Sequence, residues 1–167
     1  MYYITMMGEG FFIIGALLLT FLHPRLRNWW YFLTALLCNI IPFFIQQLIK
    51  SYYDSPRPVN FFKHAAWIHL SPDWPVILYR SYPSGHSEGA FCFFCFLSLL
   101  LAPRYRILGL VFFILALLVA YSRVYLAAHF FADVYTGSII GVAACIIIYF
   151  FMGKFKDRFL KKKDTFI

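Results

Sequence analysis

The sequence predicts an all-α membrane protein, a bundle of five transmembrane helices in a single domain that covers residues 1–167. Of the 167 residues, 62% are hydrophobic and only 13% are charged, whereas a soluble domain has about 25% charged residues. A chain this short cannot bury such an apolar excess in one core. The apolar runs are continuous and lack the alternation of a β-barrel, so helices are the expected spanning elements.

Five apolar stretches come close to the roughly 17–25 residues that a membrane helix needs. They cover residues 4–22, 29–49, 86–102, 107–122 and 134–153. The first stretch contains a single charge, Glu9, and the third has Glu88 near its start. Both acids lie near the outer boundary, where each is either an interfacial residue or part of a pocket entrance.

The distribution of charge predicts the orientation of the bundle. With the N-terminus outside, ten of the 15 Lys and Arg residues and two of the seven acidic residues fall inside, many of them in a basic tail of residues 154–167. Five basic and five acidic residues remain outside, so the net charge of +8 belongs to the inner face. The positive-inside rule then favours an outer N-terminus and a cytoplasmic C-terminus. Since the basic residues act as topology signals, we expect no nucleic-acid partner.

The outer segments carry three groups of polar residues that are far apart in the sequence: Lys50 and Arg57; Ser84, Gly85 and His86; Arg123, His129 and Asp133. Arg and Lys bind phosphate oxygens, Arg as a bidentate fork. Serine is a preferred N-cap, and the start of a helix directs N–H groups at an anion. We therefore expect one phosphate-binding site on the outer face, with a loop of residues 59–82 between the first and second groups.

Two histidines and one carboxylate in these groups suit nucleophilic catalysis. His129 and Asp133 are four residues apart, so on a helix they share a face and can form a hydrogen bond. A carboxylate bound to one imidazole nitrogen fixes the tautomer and leaves the other nitrogen as a nucleophile. His86, beside the phosphate, is then placed to protonate a leaving oxygen. No cluster of carboxylates offers a metal site, and we expect no metal or other cofactor.

Each feature taken alone also has a purely structural interpretation. Lys50 at a helix end would place its charge at the interface, and His129 with Asp133 would be a satisfied pair inside a bundle. The occurrence of all three groups on one face, in this order, favours a functional site.

The three groups resemble the signature of the type-2 phosphatidic acid phosphatase superfamily, written K-x6-R-P, P-S-G-H and S-R-x5-H-x3-D. Lys50 with Arg57-Pro58, Pro83 to His86, and Ser122-Arg123 with His129 and Asp133 match every fixed position. The resemblance extends over residues 8–151. It implies that His129 becomes a phosphohistidine, that Asp133 orients it and that His86 protonates the leaving group. It also implies which residues hold the phosphate oxygens: Lys50, Arg57, Ser84, Gly85 and Arg123.

The resemblance further implies a metal-independent phosphoric monoester or diphosphate hydrolase of a bacterial inner membrane, acting on a lipid phosphate at the outer face. The expected substrate is undecaprenyl diphosphate or a related lipid phosphate; the alternatives are a lipid A phosphatase, a lipid phosphotransferase and, less expected, a non-enzymatic lipid binder or transporter. Membrane members of this superfamily typically have six helices. Five are predicted here, and the first, with Gly8 and Gly15, resembles the second of the family.

Overall fold

The computed structural model describes residues 1–24, 26–62 and 75–159, and this part of the chain consists of helices and their connections. The helices are α1 (Tyr2–Thr5), α2 (Gly10–Leu22), α3 (Trp29–Tyr53), α4 (Pro58–Phe61), α5 (Gly85–Leu100), α6 (Ile107–Tyr125), α7 (Phe131–Gly153) and α8 (Lys156–Phe159), with 3₁₀ turns at Met6–Gly8 and Pro103–Tyr105. The all-α membrane architecture predicted from the sequence is confirmed. Residues 63–74 of the predicted loop and residues 160–167 of the predicted tail lie outside the described residues.

Within the described residues, three helices are long and apolar enough to cross a membrane: α3, α6 and α7. Helix α5 is apolar but has only 16 residues. The first predicted span is not one straight helix, because Tyr2–Gly8 and Gly10–Thr20 are bent by 64° at the break between them. Glu9 is extended there, between two glycines that weaken any helix. Counting the bent pair as one span makes four, and the number of five stays a prediction.

Helix α5 is the centre of the bundle and packs against α3, α6 and α7. Two clusters of buried side chains lie along it. One joins α5 to α6 through Phe91, Phe93, Phe94, Ala116, Val119 and Ala120. The other joins α5 to α3 and α7 through Cys38, Cys92, Phe96, Ala144, Cys145 and Ile148. The apolar side chains of α5 therefore pack on one side against α6 and on the other against α3 and α7. As a result, α5 is largely enclosed by its neighbours.

Two glycines of α7 allow it to lie directly against α5. A Cβ atom at Gly137 would collide with the carbonyl oxygen of Ser84, and one at Gly141 with that of Glu88. At this contact the backbone N–H of Ser84 donates to the carbonyl oxygen of Asp133 at 3.0 Å. The close approach thus joins the start of α5 to the start of α7.

The antiparallel course of the helices gathers the predicted site at one end of the bundle. Lys50 is in the last turn of α3 and Arg123 in the last turn of α6, whereas Gly85 begins α5 and Asp133 lies in the first turn of α7. The C-terminal ends of α3 and α6 and the N-terminal ends of α5 and α7 therefore lie at the same end of the bundle.

The connection between α6 and α7 differs from the prediction in one respect. His129 is not on a helix with Asp133: α6 ends at Tyr125, Ala127 adopts a left-handed φ of 50°, and α7 begins only at Phe131. The reason is capping, since the Asp133 carboxylate accepts the backbone N–H of Phe130 at 2.9 Å and so fixes the start of α7.

Candidate active site

His129 and Asp133 form a buried pair. Nδ1 of His129 lies 3.5 Å from Oδ2 of Asp133, and the two residues are 2% and 4% exposed. The predicted neighbours are therefore in contact, although His129 precedes the helix. With Nδ1 directed at the carboxylate, Nε2 is the imidazole nitrogen that remains for chemistry.

Two hydrogen-bond donors besides His129 contact Oδ2 of Asp133. The hydroxyl of Ser81 donates to it in a short hydrogen bond, and the N–H of Phe130 donates to the same oxygen. Ser81 is fully buried, and its own N–H donates to the carbonyl oxygen of Ser55 at 3.0 Å. The sequence analysis missed Ser81, because a serine in an irregular loop belongs to no spacing pattern that could single it out.

Burial lowers the pKa of His129 below its usual value, because the charged imidazolium loses solvation. The Asp133 carboxylate opposes this effect, and the charges of Arg57, Arg123 and Lys50 lower the pKa of His129 further. The imidazole is therefore neutral at neutral pH and keeps the lone pair that a nucleophile requires.

Arg57 enters the site from the segment after α3. It is 7% exposed; its Nε donates to the carbonyl oxygen of Tyr79 at 3.1 Å, and its Nη1 donates to that of Ala128 at 3.3 Å. Its backbone N–H donates to the carbonyl oxygen of Leu78 at 2.8 Å. Burial lowers the pKa of Arg57, and the charge of Asp133 opposes this. The guanidinium is thus fixed beside the residue that precedes His129.

The other two predicted cations belong to the same cluster. Arg123 is 1% exposed, and its Nη1 donates to the hydroxyl of Thr5 at 2.8 Å. Lys50 is half-buried, and its charge interacts with those of Arg57, Arg123 and Asp133. Three cations held together in a poorly solvated place repel one another, so the site favours an anion.

The start of α5 completes the predicted set. Ser84 is fully buried and is the N-cap of α5, as predicted, with its hydroxyl accepting from the N–H of Ser87. Gly85 lies against the amide of Gln46, where an added Cβ would come within 3.1 Å of Nε2. The start of α5 is thereby held against α3 at Gln46, which lies one helical turn before Lys50.

His86, also at this helix start, has a partner that the sequence analysis did not assign. Its Nε2 lies 2.8 Å from Oε1 of Glu9, with side-chain exposures of 19% for His86 and 33% for Glu9. One signal was available, because Glu9 is the only charge in the first apolar stretch and an ionisable residue in such a stretch indicates a functional site. The other uncertain acid, Glu88, is 4% exposed on α5, and its charge interacts with that of Lys50.

A cavity of about 390 Å³ opens beside Asp133. Its walls are largely aromatic, with the rings of Tyr53 and Tyr82 5.4 Å apart and those of Phe61 and Phe130 5.9 Å apart. The remaining lining residues are Ser55 and Pro56. Within the described part of the chain, no group of three or more His, Cys, Asp and Glu residues is arranged to hold a metal ion.

The described residues thus form a helical bundle with histidines, carboxylates and three cations at one end, an arrangement that suits the binding of an anion. The chain belongs to the PAP2 superfamily, whose family model matches residues 27–157, and it is thereby a member of a family of membrane phosphatases. This confirms the resemblance drawn from the three motifs. No curated protein matches the sequence at a significant level.

Two solved structures share the fold. Aquifex aeolicus LpxE is 24% identical in sequence and superposes with a TM-score of 0.72, covering 88% of this chain and 81% of its own. The first transmembrane PAP2 type phosphatidylglycerolphosphate phosphatase from Bacillus subtilis is also 24% identical, with a TM-score of 0.69, and covers 96% of this chain and 76% of its own. The similarity concerns the whole bundle rather than the site alone.

Proposed function

We propose that this protein is a lipid phosphatase that removes a terminal phosphate through a phosphohistidine on His129. The observation that carries the proposal is the buried pair of His129 and Asp133 beside three cations at one end of the bundle. Lys50, Arg57 and Arg123, with the backbone at Ser84 and Gly85, hold the phosphate oxygens and stabilise the charge of the transition state. The proposed reaction requires no metal ion.

The reaction has two steps. First, a bond forms between Nε2 of His129 and phosphorus while the bond from phosphorus to the leaving oxygen breaks; that oxygen keeps the electron pair and takes a proton from His86. Then water attacks phosphorus and returns a proton to His86. The nitrogen–phosphorus bond breaks, and inorganic phosphate leaves. Asp133 keeps His129 in the required tautomer throughout.

The proposed substrate is undecaprenyl diphosphate or a related lipid phosphate. Aromatic side chains are enriched at membrane interfaces, where the phosphate of a lipid lies. The aromatic cavity beside Asp133 therefore suits the apolar part of such a lipid next to its phosphate. The B. subtilis structure is named for phosphatidylglycerolphosphate, and that lipid and lipid A are the competing substrates. We place the site on the periplasmic face of a bacterial inner membrane.

Release of inorganic phosphate from a panel of lipids tests the proposal. The detergent-purified protein is given undecaprenyl diphosphate, phosphatidic acid, phosphatidylglycerophosphate or lipid A, with and without EDTA. We expect release from at least one lipid in EDTA, and highest turnover with undecaprenyl diphosphate. Loss of phosphate from the substrate only when an acceptor lipid is added, with the phosphate found on that lipid and none released, would indicate a phosphotransferase instead.

His129→Ala tests the role of the nucleophile. The substitution removes the attacking atom, so turnover falls to background, a loss on the order of 10⁴-fold or more. The matched control is His23→Ala, an exposed histidine between α2 and α3, which keeps full activity. Substantial turnover by a folded His129→Ala protein would contradict the phosphohistidine.

A further inference from the structure

The N-terminal segment, residues 1–22, contributes side chains to the site although it precedes the residues that match the family model, 27–157. It brings two polar contacts. Oε1 of Glu9 lies 2.8 Å from Nε2 of His86, and the hydroxyl of Thr5 accepts a hydrogen bond from Arg123 at 2.8 Å. Both partners are residues of the family signature, and neither contact could be inferred from that signature.

The path of the backbone directs Glu9 at the site. The segment bends by 64° where Glu9 stands, with Glu9 as the N-cap of α2. Next to it, Gly8 is buried so closely that an added Cβ would come within 2.9 Å of the carbonyl oxygen of His86 and 2.8 Å of Val119. Thr5, one turn earlier, is fully buried. The segment is therefore packed against both α5 and α6, and the carboxylate has little freedom to leave His86.

We infer that Glu9 is a positioning residue that holds His86 in the orientation and protonation state needed to protonate the leaving oxygen. This inference rests on the proposed function. An ionised carboxylate only accepts hydrogen bonds, so Nε2 of His86 carries the hydrogen that lies between them. The proton passed to the leaving oxygen then comes from Nδ1, and the negative charge of Glu9 stabilises the imidazolium that exists before the transfer.

The arrangement resembles that of His129 and Asp133, the pair that contains the proposed nucleophile. There, Asp133 faces Nδ1 of His129 and leaves Nε2 to attack; here, Glu9 faces Nε2 of His86 and leaves Nδ1 to donate. Each histidine thus faces a carboxylate, but the side chains of His129 and Asp133 are 2% and 6% exposed, whereas those of His86 and Glu9 are 19% and 33% exposed. Burial favours the neutral form of the nucleophile His129. At His86 the Glu9 carboxylate opposes the effect of burial, because its hydrogen bond and its charge stabilise the protonated imidazole.

The test compares two substrates that differ in how much their leaving oxygen needs a proton. Phosphatidic acid releases an alcohol, whose oxygen must be protonated as it leaves; p-nitrophenyl phosphate releases a stable phenolate, which does not. In Glu9→Gln, an isosteric change, we expect kcat for phosphatidic acid to fall roughly 10- to 100-fold, below the 10²–10⁴-fold that a general acid contributes in full. The value of kcat for p-nitrophenyl phosphate should change less than threefold, and KM for both should stay similar, because Glu9 does not hold the phosphate.

The matched control is Asp157→Asn, another acid-to-amide change, in α8. Lys156, the residue before it, lies 5.2 Å from the Trp30 ring at the start of α3, about 30 Å along the helix from Lys50. This control should leave both activities unchanged. If Glu9→Gln fails to fold, Glu9→Asp keeps the charge but draws the carboxylate back by one methylene, and the same selective loss on phosphatidic acid is expected.

The outcomes separate the two proposals. Equal losses on both substrates, or no loss on either, would overturn the role of Glu9 and leave the phosphatase intact. Absence of phosphate release by the parent protein from every lipid and from p-nitrophenyl phosphate would overturn the proposed function, and the inference with it.

Discussion

Oδ2 of Asp133 is the atom on which the candidate nucleophile depends. It accepts from Ser81 and from the N–H of Phe130, and Nδ1 of His129 lies 3.5 Å away. A carboxylate with several donors is fixed in position and stays ionised. Ser81 and the helix start thus orient Asp133, which in turn orients His129.

Removal of the Ser81 hydroxyl should therefore weaken catalysis without abolishing it. We expect Ser81→Ala to lower kcat roughly 3- to 10-fold, since two other groups still face the carboxylate, whereas Asp133→Asn should cost about 10²–10⁴-fold, as for other residues that orient a histidine. Ser98→Ala is the control, because the Ser98 hydroxyl donates within its own helix, to the carbonyl oxygen of Phe94. Steady-state phosphate release on the best lipid gives the comparison. A Ser81→Ala enzyme as fast as the parent would show that the serine does not orient Asp133.

At the scale of elements, the contact between α5 and α7 decides the geometry of the site. Gly137 and Gly141 lie one helical turn apart on α7 and both face the backbone of α5. Small residues at this spacing let membrane helices approach closely, where packing rather than the hydrophobic effect holds them together. Because the hydrogen bond from Ser84 to the backbone of Asp133 forms at this contact, the packing of the two helices fixes the backbone that we propose to bind phosphate.

Gly141→Ala should destabilise the protein by about 1–3 kcal/mol, the usual cost of overpacking a tight contact. The new methyl group would collide with the carbonyl oxygen of Glu88, a backbone atom that cannot turn aside. Gly15→Ala on α2 is the control, because an added Cβ there meets nothing within 4 Å. Unfolding in mixed micelles, titrated with a denaturing detergent, measures the difference. Equal stability of both variants would mean that α7 can shift away from α5 at little cost.

At the scale of the whole molecule, the distribution of charge predicts the orientation in the membrane. The cytoplasmic placement of ten basic residues predicts that the end of the bundle bearing Lys50, Arg123 and Asp133 faces outward. In this predicted orientation, the proposed substrate is a lipid of the outer leaflet.

Labelling of introduced cysteines tests this orientation. Ser51→Cys at the end of α3 should react with a membrane-impermeant maleimide on intact cells, whereas Tyr105→Cys, between α5 and α6, should react only after the cells are opened; both positions are exposed. The parent protein supplies the background, with Cys38, Cys92 and Cys145 buried. If only Tyr105→Cys reacted on intact cells, the predicted orientation would be wrong and the opposite one correct.

The sequence by itself determined the helical membrane class and the family, and it supplied the candidate residues of the proposed phosphate site, because continuous apolar runs and motif spacings are local properties of the chain. It also placed Ser84 as an N-cap, since capping depends on a few neighbouring residues. The four-residue spacing indicated the pair of His129 and Asp133 but did not show that the two residues meet across the start of a helix, because spacing alone does not reveal that Asp133 caps it.

Tertiary structure alone decided which residues support that site. Ser81 reaches Asp133 across 52 positions of sequence, and Glu9 reaches His86 across 77. Such pairs leave no periodic pattern, since they depend on the packing of α5 against α7 and on the bend at Glu9. The sequence left open whether Glu9 is an interfacial residue or part of a pocket entrance, and the folded chain supplies its partner, His86.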